Sequence, residues 1–133
     1  MAKPKIFVSY SKKDMPWVRQ FVDALIAADI DAWLDTYRVP PGEPFQAAVE
    51  KAFRESDFIV TLVTPETADA PNLFFELGAA MGLGKPIIPI VPKDMSLSLL
   101  PQPLRQRQVM VRSTPKETAR DLISHLKLQP VHA

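Results

Sequence analysis

The run Phe58-Ile-Val-Thr-Leu-Val63 constrains this chain more than any other segment, because it is apolar on both faces and closes on Thr64-Pro65. A strand of that kind must be covered above and below, as strands are in parallel sheets with crossover helices. Lys5-Ile-Phe-Val-Ser-Tyr10 has the same character, as does Ile87-Ile-Pro-Ile-Val91 after the turn at Lys85-Pro86. Ala32-Trp-Leu34 is a shorter strand, and Val109-Met-Val111 is expected at an edge. Pro89 lacks a ladder donor, so a bulge or a local gap is expected at that position.

The segments between these strands read as helices. Ser11 with Asp14 three residues on is expected to form a capping box. The helix it opens buries Val18, Phe21, Val22 and Leu25, at spacings of three and four. Phe45, Ala48, Val49, Ala52 and Phe53 form a second apolar stripe, preceded by an irregular loop from Asp35 to Glu43 that contains two prolines and a glycine. A third helix follows Asn72. Residues 92 to 107 are expected to be irregular with one short helical turn. Thr114-Pro-Lys-Glu117 caps the last helix, which buries Ala119, Leu122, Ile123 and Leu126.

Five strands alternating with helices require right-handed crossovers and helices on both faces of a parallel sheet. The expected fold is therefore α/β and flavodoxin-like, three-layered, with strand order 2-1-3-4-5. At 133 residues the chain suits one domain over 1–133, with a core from about 4 to 127 and a loose tail.

Composition removes several function classes. A formal charge of +1 argues against a dedicated nucleic-acid surface, and Arg105, Arg107 and Arg112 read as a solvated basic cluster. No apolar run approaches the length of a membrane span, and the strand beginning at Lys5 leaves no room for a signal peptide. The chain has no cysteine, so it has neither a disulfide framework nor a thiolate metal site, in keeping with a cytoplasmic location. His125 and His132 lie in the last helix and tail with no third ligand near them, so they read as surface residues rather than metal ligands.

In an open parallel sheet, ligands bind beyond the carboxyl ends of the strands where strand order reverses, here between the first and third strands. The loops Ser9 to Lys13 and Thr64 to Asn72 open onto that crevice. The third-strand connection brings Glu76, the one carboxylate in the otherwise apolar stretch from Asn72 to Gly84, to the same rim beside Tyr10 and Ser11. A carboxylate without metal, Cys or a neighbouring His can hold hydroxyl groups, attack an anomeric carbon, or stabilise an oxocarbenium-like centre. Each of these suits cleavage of an N-ribosyl bond whose leaving group departs without protonation, as nicotinamide does from NAD+.

Four motifs in order, Lys5-Ile-Phe-Val-Ser-Tyr-Ser11, Ile30-Asp-Ala-Trp-Leu-Asp35, Pro40-Pro-Gly42, and Phe75-Glu-Leu-Gly-Ala79 with Gly84-Lys-Pro86, together resemble a TIR domain of bacterial type. The resemblance implies NAD+ as substrate, no separate cofactor, and cleavage to nicotinamide and ADP-ribose or a cyclic form. It also implies assembly with other TIR domains and a fused or separate sensor, in some members for antiviral defence. By the same resemblance Glu76 is the catalytic residue, Tyr10, Ser11 and Lys12 belong to a nucleotide-contacting first loop, and Arg38 and Phe45 to a second. Enzymatic members commonly carry tryptophan where this chain has Asn72, which can hydrogen-bond Glu76 or a ribose hydroxyl but offers no stacking face.

Two other readings stand beside this one. In a TIR adaptor, Glu76 is a helix-start carboxylate favoured by the dipole and the 35–43 loop binds partners. The Glu76 segment also resembles the nucleophile segment of nucleoside deoxyribosyltransferases. Trp17 reads as a packing or interface aromatic. Gly78 and Gly82 are expected to allow close helix approach, and Gly84 to end the helix.

Overall fold

The computed structural model describes residues 4–34, 51–67, 77–78, 80–105 and 109–128. Five strands run β1 (Lys5–Ser9), β2 (Asp31–Leu34), β3 (Phe58–Leu62), β4 (Ile87–Val91) and β5 (Met110–Val111). They form one parallel sheet in the order β2-β1-β3-β4-β5, as the alternation of elements requires.

The helices are α1 (Met15–Ala27), α2 (described over 51–55), α3 (described over 77–78 and 80–82), α4 (Gln102–Arg105) and α5 (Pro115–Leu128). Side chains alternate across the sheet and create two cores. Ile6, Val8, Val60, Leu62 and Ile90 face α1 and α5, where Val18, Phe21, Val22, Leu25, Ala119, Leu122 and Leu126 complete one cluster. Phe7, Ile59, Ile87 and Val91 face the other way, against Ala52, Phe53, Leu77, Ala80, Leu100 and Leu104.

Pro89 sits in register with Thr61, and the β3–β4 ladder runs through it without a bulge. The Pro86 and Ile90 carbonyls face β3, so the donor that Pro89 lacks would face β5. Pairing with β5 begins only at Ile90, which makes the expected gap real on that side alone.

The ends of α3 and α1 follow one design. Lys85 N–H donates to the Ala80 carbonyl at 2.9 Å and Gly84 N–H to that of Met81 at 3.2 Å, with Gly84 at φ 68°, so Gly84 does terminate α3. α1 ends the same way with Asp29 at φ 67°, Ile30 N–H reaching the Leu25 carbonyl at 3.0 Å. The expectation for Gly78 and Gly82 is not met among the described residues. A Cβ at either position would meet nothing within 4 Å, so these glycines do not mark a close helix contact there.

The Ser11–Asp14 capping box does not form. Ser11 Oγ accepts from Lys13 N–H at 3.3 Å, the Ser11 carbonyl accepts from Asp14 N–H at 3.0 Å, and a 3-10 turn (Lys12–Asp14) precedes α1. Asp14 becomes the N-cap residue yet makes no side-chain cap hydrogen bond. The box expected at the last helix is half made: Thr114 Oγ1 accepts from Glu117 N–H at 3.2 Å.

Candidate functional site

Ser9 and Thr61 are the last pair of the β1–β3 ladder. Beyond them the two strands feed the 10–14 and 63–67 segments, which the strand order sets on either side of the reversal point, where open parallel sheets bind ligands.

Ser11 is half-buried, and Lys12 belongs by its backbone to the 3-10 turn. Tyr10 is 8% exposed, with its ring among the α1–α5 core and its hydroxyl donating to Met15 Sδ at 3.8 Å. Arg38, Phe45, Asn72 and Glu76 lie outside the described residues. The residue that follows Glu76, Leu77, is helical, 4% exposed and belongs to the core cluster that contains Phe7 and Ile59.

The β3 wall is a tight turn. Thr67 Oγ1 accepts from Thr64 N–H at 2.9 Å, and Thr67 N–H donates to the Thr64 carbonyl at 3.0 Å. The exposed Glu66 in this turn escaped the sequence reading. Its carboxylate accepts from its own backbone N–H and from the Thr64 hydroxyl, and the Lys13 ammonium across the crevice adds attraction. Together these outweigh desolvation and hold its pKa below the ordinary glutamate value. The signal available in the sequence was Thr64-Pro-Glu-Thr67, a hydroxyl on each side of a carboxylate in a proline turn.

Arg112 corrects the reading of a solvated basic cluster. Its Nη1 donates to Asp14 Oδ1 at 2.9 Å, and its guanidinium carbon lies 4.5 Å from the Trp17 ring centroid. The Trp17 indole N–H donates to the Ser113 carbonyl at 3.0 Å, and its ring stacks on Phe21, so Trp17 is a packing residue. Arg105 stays exposed, as read, while its Nε donates to the Leu100 carbonyl at 2.8 Å. Arg107 lies outside the described residues.

Away from the crevice, a shallow groove of about 330 Å³ runs between the edge strand and α5, lined by Val109, Met110, Val111, Asp121, Ser124 and His125. Among the described residues no cluster of three His, Cys, Asp or Glu side chains is placed to hold a metal. No described helix is long and apolar enough to cross a membrane.

The family model for the TIR domain matches residues 6–125. No curated protein matches the chain. Among solved structures, the TIR domain of the Toll-related receptor TRR-2 from Hydra magnipapillata superposes with a TM-score of 0.74 at 19% identity, covering 92% of this chain and 97% of that one. A metazoan TIR-STING receptor from C. gigas, in complex with 2′,3′-cGAMP, gives 0.74 at 19% identity over 90% of this chain and 38% of the receptor. The TIR domains of the activated Roq1 resistosome, which recognises the pathogen effector XopQ, give 0.62 at 18% identity over 92% of this chain and 72% of that one.

Proposed function

Because this chain belongs to the TIR-domain family, matched over residues 6–125, we propose that it cleaves the nicotinamide–ribose bond of NAD+. The carrying observation is local. The 10–14 and 63–67 segments follow the paired ends of β1 and β3, and Leu77 is anchored in the core one residue after the family's glutamate position. Family membership favours this over the nucleoside deoxyribosyltransferase reading, which resembles the chain around the glutamate but belongs to a different family.

In the proposed reaction the bond from ribose C1 to the pyridinium nitrogen breaks, and its electron pair leaves with neutral nicotinamide. No general acid is needed. Glu76 holds the ribose hydroxyls and stabilises positive charge at C1 until water adds there and loses a proton, giving ADP-ribose. Attack by a nitrogen of the substrate's own adenine instead gives the cyclic product. Ser11, Lys12 and the main chain at Tyr10 contact ribose and phosphate; Arg38 adds charge, Phe45 a stacking face, and Asn72 a hydrogen bond to ribose or Glu76.

TIR domains commonly self-associate, and activity is proposed to require assembly with further copies, under control of a sensor, in the cytoplasm and in antiviral defence. The test is to incubate concentrated protein with NAD+ and identify the products. Nicotinamide with linear or cyclic ADP-ribose is expected. Self-association without any nicotinamide release would instead identify an assembly adaptor.

A further inference from the structure

Asp14 and Arg112 are 98 residues apart in sequence, yet they join the two helix starts that lie at the crevice end of the sheet. Arg112 N–H donates to the Val91 carbonyl at 2.7 Å, which fixes its backbone beside β4. From there the guanidinium crosses to Asp14 and lies over Trp17, whose indole returns a hydrogen bond to Ser113. Ser113 N–H in turn donates to Thr118 Oγ1 at 3.0 Å, inside the first turn of α5. The loop is closed: β5, the α5 start, Trp17 and the 12–14 turn hold one another.

The local chemistry makes this arrangement informative. An aspartate at an N-cap ordinarily accepts from the helix's free N–H groups, and α1 forgoes that bond so that Asp14 can face Arg112. Side chains of Arg112 and Asp14 are only 21% and 15% exposed, so the pair is partly shielded from water. Departures from a local rule concentrate where a segment must be held for another purpose. The segment held here carries Ser11, Lys12 and Lys13 at the mouth of the crevice.

We propose that Arg112 is a positioning residue for the crevice: by gripping Asp14 and Trp17 it sets the conformation in which the 11–14 turn meets the substrate. This rests on the NAD+-cleavage reading for its functional half. Arginine's planar fork makes the ion pair and the ring contact together, which lysine does not.

Five variants test it: Arg112→Ala, Arg112→Lys, the single changes Asp14→Arg and Arg112→Asp, and the exchanged pair that combines those two. Hydrogen exchange at Lys13 and Asp14 is compared with that at Val60 in β3, which reports global opening. For Arg112→Ala the turn amides are expected to exchange about tenfold faster relative to Val60. Lysine should rescue this only in part, and the exchanged pair should recover protection beyond either of its single variants. KM for NAD+ should rise several-fold while kcat changes little. Turn amides that change only in step with Val60 overturn the proposal, as does a loosened turn with unaltered KM. Wild-type protein that releases no nicotinamide contradicts the proposed function and leaves the exchange comparison to decide the clamp.

Discussion

The rings of Phe7 and Phe53 meet edge to face, their centroids 4.4 Å apart at 90°, and both side chains are completely buried. Phe7 lies in β1 and Phe53 in α2, so this contact ties the first strand to the helix that precedes β3. Phe53→Ala is expected to lower stability by about 3–5 kcal/mol, since it opens a cavity and loses the aromatic pair. Urea unfolding monitored by circular dichroism measures this, and a loss below about 1 kcal/mol would mean the contact is not a core anchor.

Gly84 adopts φ 68° with open space around its Cβ position, so substitution there tests backbone strain alone. Gly84→Ala should destabilise by about 1–2 kcal/mol, the cost of placing an L side chain in the left-handed region. Thermal unfolding checks the value. An unchanged midpoint would show that α3 ends without that conformation.

Glu66 gives a pH prediction with a definite sign. Its folded pKa lies below 4.5, so its stabilising contribution is present above the unfolded value and is lost as pH falls through the lower folded value. Carbon-13 NMR of the carboxyl should show titration below 4.5, and Thr64→Val should move it back toward that value by removing one donor. Its own backbone N–H is the larger influence, so the return should be partial. A Glu66 that titrates at the ordinary value in the wild type contradicts the hydrogen bonding described for the turn.

Asn72 stands where enzymatic relatives commonly carry tryptophan. If a missing aromatic face limits turnover, Asn72→Trp should raise NAD+ cleavage severalfold at equal assembly, read as nicotinamide release. A variant no faster than wild type would show that the ring is not what limits the reaction.

The sheet was legible because its strands are apolar on both faces. β4 runs over the residues read from sequence, and β1, β2 and β3 differ from their readings by one residue at an end. The strand order followed from the alternation of elements, and strand order decides which loops lie beside one another. The Asp14–Arg112 contact was not legible, because a Ser-x-x-Asp pattern looks like a local cap and nothing in the sequence pairs positions 98 residues apart. Gly78 and Gly82 misled for a related reason: small residues one turn apart permit a close neighbour but do not supply one. Glu66 was overlooked because its character comes from a turn that brings the Thr64 hydroxyl and its own N–H to it, geometry that composition does not carry.

The central claim is that Glu76 acts at ribose C1. Nicotinamide release from NAD+ by concentrated wild-type protein and by Glu76→Ala, with matched circular dichroism and self-association, tests it most directly. The account predicts release by the wild type and none above background by the variant, both equally folded. Equal rates from the two proteins would contradict it.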